Sequence, residues 1–410
     1  MEDPGAPFGE SGLQAFRIPP PGAAAPPGRG PQTHETERWV EQALGAAKAR
    51  MDAHGDDPQR VRIFQILDLL APLRATVRRR GNGQAVTNAW LKMYEIATHF
   101  RLPGQLLGGE GGALRVFCNA ELPGAFVSAL NHYMAVWHPW ARFEWVASSL
   151  YPEEGGGALG DDFGLCGGNP ARWLMSAEMR GDVTDVGDLE ALAARAREGL
   201  GGEADLYTAD AGIGLHSPDE YAQEEKLTAR LHLGQLLAGF LTLRRGGALV
   251  AKTYTFVQPY SIALLSLCAG LFARFHVTKP RASRPRNSEV YLVGLGYRGA
   301  SPEVLADLKR AVAGFDFSNP VLDVDAPELE PPRRAAAAAA EAIHGAQQAA
   351  LLHSAMELYY EHRDRPERLR EQLEPRAAAA QRSWLAANPV PRLPRARALP
   401  TARPPRRKGG

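Results

Sequence analysis

The chain has 410 residues, 45% of them hydrophobic and 23% charged, with 47 Lys and Arg against 46 Asp and Glu and a formal net charge of +1. That length implies one large domain with extensions, or two domains, and the apolar content suffices for a substantial core. A global positive field is excluded, so any affinity for nucleic acid has to come from local basic patches.

Residues 1–33 are rich in Pro, Gly and Ala and are expected to form a disordered arm. Residues 34–84 form a helical lead-in, with Val40, Leu44 and Ala47, then Ile63, Ile66, Leu67 and Leu70, at helical spacing. Trp90–Phe100 is an amphipathic helix. Candidate strands follow at Leu114–Asn119, Phe143–Leu150, Ala204–Asp210, Ala248–Tyr254, Arg274–Thr278 and Glu289–Leu295. Helices fill the gaps, notably Gly124–Val136, Glu220–Arg244 and Tyr260–Ala273. Strands separated by helices imply an α/β domain, its mostly parallel sheet covered on both faces. Ligands of such sheets bind beyond the carboxyl ends of the strands.

A helical extension is expected at 301–385, its Ala-rich helix pair interrupted near Pro366 and Pro375. The segment 386–410 reads as a basic disordered tail, either solubilising or in contact with RNA phosphates. Cys118, Cys166 and Cys268 have no metal-ligand spacing and read as reduced intracellular thiols, with no metal site. The N-terminus shows no basic-then-apolar signal, and the apolar stretch Ser261–Leu271 is too short to span a bilayer. A soluble, intracellular protein of cytoplasm or nucleus is expected.

Four segments put a charge at a strand end or on a helix: TNAWLKMYEI with Lys92, ADLYTADAGIGL with Asp210, GGALVAKTYTF with Lys252, and SRPRNSEVYLVGLGYRG with Glu289. Taken singly, each reads as a solvated terminus or half of a structural ion pair. Lys252 interrupts an apolar strand, and a lysine is costly to bury unpaired. Asp210, Lys252 and Glu289 are 42 and 37 residues apart (252 − 210 and 289 − 252).

Lys-Asp-Lys-Glu in this order and spacing resembles the catalytic tetrad of FtsJ-like ribose 2′-O-methyltransferases. FCNAELPGAFVSALNHY, FEWVASSLYP, GDVTD, DLYTADAG, FHVTKP and NSEVYLVGLGYRG are similar to segments of the cap-specific, cap 2-type (Adrift-type) members and their large-DNA-virus relatives. The resemblance covers residues 85–300. It implies a Rossmann-like methyltransferase with a seven-stranded sheet, S-adenosylmethionine as cofactor, and capped mRNA as substrate, methylated on a ribose 2′-hydroxyl near the 5′ cap. Other capping-machinery proteins would be partners, and a viral version would act inside the host cell. The alternatives are a 2′-O-methyltransferase of rRNA or internal sites, and an inactive RNA-binding scaffold of a capping complex.

On this reading Lys252 is the base or hydroxyl-orienting group, with Lys92, Asp210 and Glu289 as its electrostatic frame. The resemblance assigns the cofactor to Gly124 in a strand-to-helix turn, to Phe143 as a stacking ring, to Asp182 against the adenine amino group, and to Asp210. Asp185 is the alternative, as a helix cap. Cys118 stands where many members carry an acid. Arg281, Arg284 and Arg286, beside Lys279, are candidates for RNA phosphate contact. Trp137, Trp140, Tyr254 and Tyr260 are candidates for stacking a methylated guanine.

Overall fold

The computed structural model describes residues 13–23, 33–55, 57–108, 111–151, 160–176, 180–215 and 217–402. Strand β1 (Gln14–Ile18) precedes helices α1 (Thr33–Asp52), α2 (Pro58–Ile66) and α3 (Leu73–Gly81). The central domain runs α4 (Asn88–Phe100), α5 (Leu102–Leu106), β2 (Ala113–Asn119), α6 (Ala125–Trp137), β3 (Arg142–Ala147), α7 (Leu165–Gly168), α8 (Val186–Leu200) and β4 (Ala204–Ala209). It continues with α9 (Pro218–Ala222), α10 (Glu224–Thr242), β5 (Leu243–Thr253), α11 (Pro259–Leu271), β6 (Phe272–Lys279) and β7 (Val290–Tyr297). Helices α12 (Pro302–Ala313), α13 (Glu330–Ala340), α14 (Ala349–His362) and α15 (Pro366–Ala387) follow, a π-helical stretch joining α13 to α14.

The described strands form a seven-stranded sheet in the order β1-β6-β7-β5-β4-β2-β3. The expectation of a mostly parallel sheet needs correction. Five strands share one direction, but β7 enters between β5 and β6 against both, and β1 runs antiparallel to β6. Half of the pairings are therefore antiparallel. This inversion matters for the site: the start of β7 lies at the edge where β2, β4 and β5 end.

Successive strand residues point to opposite faces. Val116, Cys118, Leu206, Val250, Tyr291 and Val293 pack with α4 and α6 on one face. Phe117, Tyr207, Leu249, Ala251 and Leu292 pack with α8, α10, α11 and α12 on the other. Thr87 caps α4, its hydroxyl accepting from Trp90 N at 3.4 Å. The apolar stretch 261–271 lies in α11, largely buried against the sheet. Among the described residues no helix is long and apolar enough to cross a membrane.

Three expectations outside the central domain are overturned. Part of the expected N-terminal arm is β1, whose backbone pairs with β6 from Gln14↔Lys279 to Ile18↔Phe275. Residues 1–12 and 24–32 lie outside the described residues. Pro375 does not interrupt α15, which is held to the core on both sides of it by Leu369, Leu373, Ala380 and Trp384. Packing on both flanks keeps the helix despite the missing N–H.

The third correction concerns the tail. Residues 388–402 form a strap tied by its backbone to the central domain. Tyr94 Oη donates to Pro389 O (2.8 Å), Asn82 to Leu393 O (3.0 Å), and Asn131 to Arg397 O (2.9 Å). His132 bonds Pro391 O (2.7 Å), and Gln84 both donates to Leu399 O and accepts from Leu399 N. At its end Ala402 N donates to Gly164 O (2.8 Å). A Pro-rich chain keeps its carbonyls free for such donors, which composition alone does not reveal. The basic residues beyond 402 lie outside the described residues.

Candidate active site

The tetrad residues meet at one edge of the sheet. Asp210 follows β4, its N–H donating to Asn119 O at the end of β2 (3.3 Å). Lys252 is the penultimate residue of β5 and stands in register with Tyr291 of β7. Glu289 immediately precedes β7. Lys92 comes from the middle of α4, which covers that face. Lys92 Nζ donates to both Glu289 oxygens at 2.8 Å. Lys252 Nζ donates to the Asp210 backbone carbonyl at 2.9 Å and lies 3.3 Å from Asp210 Oδ1. Tyr291 Oη donates to the same Oδ1 at 2.9 Å.

Lys92, Lys252 and Glu289 are buried, and Asp210 is partly buried. Burial lowers the Lys252 pKa; Asp210, with Tyr254 and Glu289, outweighs it and holds the pKa above the ordinary lysine value. Burial likewise opposes ionisation of Glu289, and Lys92, Lys252 and Lys279 overcome it, keeping the carboxyl below its usual range. Lys279 itself is pulled down to about 7, by burial first, with Glu289 offsetting part and Lys92 adding to the fall. Its ammonium donates to Asn287 O, Asn287 Oδ1 and Glu289 O at 2.7–2.8 Å, fixing the strand start that carries Glu289.

Beside the tetrad, the turn between β2 and α6 brings Glu121 under the start of α6. Its Oε1 accepts from Val127 N at 2.9 Å. Burial pushes this carboxyl up to about 8; the Val127 N–H offsets part of the rise and the charge of Asp210 adds to it. A buried carboxyl raised by a neighbouring carboxylate marks a place for positive charge. Gly124 opens α6 at φ 100°, a backbone conformation that glycine adopts without strain. Ser148, fully buried just past β3, has a hydroxyl with no hydrogen-bond partner among the described residues.

The profile of the FtsJ-like methyltransferase family matches residues 85–297. A protein of African swine fever virus named as a probable methyltransferase is 34% identical over 374 residues, 87% of this chain and 84% of its own length. The chain belongs to the FtsJ-like methyltransferase family. An uncharacterized protein of Acanthamoeba polyphaga mimivirus is 32% identical over 240 residues, 58% of this chain and 29% of that one. The mouse cap-specific mRNA (nucleoside-2′-O-)-methyltransferase 2 is 31% identical over 242 residues, 58% of this chain but only 31% of the mouse protein.

Within this FtsJ-like domain several expected residues fall elsewhere. Phe143 is level with Leu114 at the start of β3, the opposite edge from the tetrad, and packs in the core. Its assignment to cofactor stacking is therefore corrected: five residues of strand, at about 3.3 Å each, separate it from Ser148. Trp137 and Trp140 are exposed at that same far edge, and Tyr260 is buried against Phe317. Of the four candidate rings only Tyr254 is near the tetrad, 5.8 Å from Lys252 Nζ. Arg286 is buried and donates to Phe64 O and Leu67 O, so it clamps α2 to the loop before β7. Arg284 is exposed, 3.5 Å from Asp68.

Asp182 sits beside the end of β3, where Gly181 packs on Ser149 O. Its Oδ1 accepts from both the N–H (2.9 Å) and the hydroxyl (2.7 Å) of Thr184. Asp185 is the cap of α8, accepting from Asp188 N. A side chain at Gly124 would meet Leu165 Cδ1 at 2.6 Å, so its neighbour is α7. Glu121 and Tyr291 at this edge were not singled out from the sequence, and Lys279 was noted only as the neighbour of the arginine cluster. All three lie in segments that carry the family resemblance, Glu121 in FCNAELPGAFVSALNHY, Lys279 in FHVTKP and Tyr291 in NSEVYLVGLGYRG.

Proposed function

We propose that the chain transfers a methyl group from S-adenosylmethionine to a ribose 2′-hydroxyl near the 5′ cap of mRNA. The observation that carries this reading is the convergence of two lysine–carboxylate pairs at the carboxyl edge of the sheet, next to a helix start with buried Glu121. The cap-specific name of the mouse relative supports the choice of substrate.

The residues present fit the cofactor. Glu121 and Asp210 suit its positive charges, the α6 start its carboxylate, and Asp182 with the Ser148 hydroxyl its adenosine. S-adenosylmethionine supplies an activated methyl group on a positively charged sulfur. The protein supplies alignment, which dominates an in-line transfer between two atoms. Lys252, protonated because its pKa is held high, donates to the acceptor oxygen and turns a lone pair toward the methyl group. The hydroxyl becomes acidic only as its bond to the methyl carbon forms and the carbon–sulfur bond breaks, so its proton can pass to water and no strong base is needed beforehand. Asp210 fixes the Lys252 ammonium, and Lys92 with Lys279 fixes Glu289.

The test is incubation with labelled cofactor and capped RNAs, with and without prior methylation of the first nucleotide, followed by nuclease mapping. Label in a 2′-O-methylated nucleotide next to the cap is expected. Label at internal positions, or in uncapped rRNA alone, would overturn the cap-proximal assignment. No label with any RNA would leave the scaffold reading.

A further inference from the structure

Glu289 is delivered by an irregular segment between β6 and β7. Asn287 and Ser288 line a cavity of about 710 Å³, so the segment lacks packing on that side. Two polar clamps fix its last residues instead. Lys279 donates to Asn287 O, Asn287 Oδ1 and Glu289 O. Gln348 Nε2 donates to Arg286 O at 3.1 Å and to Ser288 Oγ at 3.2 Å. The clamps thus alternate along the chain, Gln348 holding 286 and 288, Lys279 holding 287 and 289.

Gln348 is itself held in one orientation. It is buried, and it closes the π-helical stretch Glu341–Gln348 between α13 and α14. Such stretches are rare and recur at functional sites. A carbonyl can only accept, so the amide nitrogen of Gln348 has to face Arg286 O. Its oxygen then faces His344, whose Nδ1 donates to it at 2.8 Å. Burial pushes the His344 pKa down to about 3, so the ring is neutral and carries its one proton on Nδ1. Turning the Gln348 side chain would break all three hydrogen bonds at once. The stretch is fixed from behind as well, because Gly345 lies where any side chain would run into Trp39 of α1.

We propose that Gln348 is a positioning residue of the methyl-transfer site: its hold on Arg286 and Ser288 sets the place of Glu289 and, through Glu289, of Lys92. The proposal rests on the reading of the tetrad as an RNA 2′-O-methyltransferase site. Gln348 lies beyond residue 297, where the family match ends, so the helical extension completes the FtsJ-like site. The same extension also grips the beginning of the segment. Trp384 Nε1 donates to Glu95 Oε2 at 2.9 Å, and the two Glu95 oxygens accept from Arg281 N and Ala282 N. That grip is at least seven residues from Glu289 (289 − 282) and provides the comparison.

The experiment compares the full chain with Gln348→Met, which keeps the volume and loses the donors, and with Trp384→Phe, which loses a buried donor to the far end of the same segment. Turnover of a short capped RNA, cofactor affinity by calorimetry, the thermal midpoint and peptide-resolved hydrogen exchange are measured. Both variants lose buried hydrogen bonds and should lower the midpoint by similar amounts. Only Gln348→Met should lower kcat, by about ten- to a hundredfold, the effect of a reacting geometry displaced by up to an ångström. KM for RNA and cofactor affinity should stay close to wild type. Exchange should quicken in residues 286–290 for Gln348→Met and in residues 281–283 for Trp384→Phe. Gln348→Asn, a milder change that keeps the amide on a shorter stem, should move kcat and exchange in the same direction and replaces Gln348→Met if that variant does not fold. A kcat equal to that of Trp384→Phe, a loss confined to KM, or unchanged exchange in 286–290 overturns the proposal. The outcomes separate it from the proposed function. Wild-type chain that methylates no RNA, with exchange in 286–290 quickened by Gln348→Met, refutes the function and keeps the hold on Glu289. Normal methylation by wild type, with kcat unchanged in Gln348→Met, does the reverse.

Discussion

Lys92 and Lys252 each face a carboxylate at the same edge of the sheet, yet the two pairs differ in closure. Lys92 Nζ sits 2.8 Å from both oxygens of Glu289, and both side chains are buried. Lys252 makes its hydrogen bond to a backbone carbonyl, 2.9 Å away, and stands 3.3 Å from Asp210 Oδ1, which is shared with Tyr291. The closed pair has its charges mutually neutralised and acts as a fixed post. The open pair keeps donor capacity on Lys252 for an incoming hydroxyl. Under the proposed function, identical chemistry serves as frame in one pair and in the reaction at the other, according to how completely each ammonium is engaged.

The largest effect is expected where the pair is open. Lys252→Ala should lower kcat by about 10²–10⁴-fold, the range for losing a positioned proton-handling group. Cofactor affinity by calorimetry and the thermal midpoint should stay close to wild type, because Tyr291 still holds Asp210. Turnover like wild type would remove Lys252 from the reaction.

Breaking the closed pair should act on stability. Lys92→Ala leaves the buried Glu289 carboxylate without its nearest cation, which should cost about 3 kcal/mol or more in urea unfolding. Replacing both, Lys92→Met with Glu289→Leu, should recover much of that stability and none of the turnover. If Lys92→Ala unfolds like Lys252→Ala, the two pairs are equivalent and the comparison fails.

A smaller effect is expected from the strap. Gly164 lacks a side chain where a Cβ would lie 2.0 Å from Ala402 O, and Gly164 is followed by Leu165, which packs on Gly124. Ending the chain after Arg397 removes the bonds of Leu399 to Gln84, of Pro400 to Asn169 and of Ala402 to Gly164, each worth about 0.5–1.5 kcal/mol. Hydrogen exchange should quicken in residues 164–168, and cofactor affinity should fall severalfold. Unchanged exchange there would show that the strap ends are passive.

The four tetrad residues were singled out through a family resemblance carried by residue type, order and motif; each charge taken singly read as a solvated terminus or half of an ion pair. The structure brings their side chains to one edge of the sheet. The six strands of the central domain were legible too, as apolar runs between helices. Strand direction was not. Phe143 was assigned to the site from its motif, although it begins β3 and therefore lies at the far edge. Tyr291 reaches Asp210 only because β7 runs antiparallel to β5 and sets it opposite Lys252. The pairing of Gln14–Ile18 depends on the free edge of β6, far away in sequence, and the strap on side-chain donors of α4 and α6. Such long-range contacts leave no local pattern.

The account's central claim, that Lys252 acts as a protonated, orienting group, is tested most directly by the pH dependence of kcat/KM, which reports groups of the free enzyme. A raised lysine pKa means that the ammonium is the prevailing form throughout the neutral and mildly alkaline range and is lost only above the ordinary lysine value. If the ammonium is the working form, Lys252 adds no rise in the rate constant for methyl transfer to capped RNA between about pH 7 and pH 9; any slope there comes from Glu121 and Lys279, which titrate near 8 and 7, and persists in Lys252→Ala. A tenfold rise per pH unit across that range, absent in Lys252→Ala, would mean that the neutral amine is required and would contradict the account.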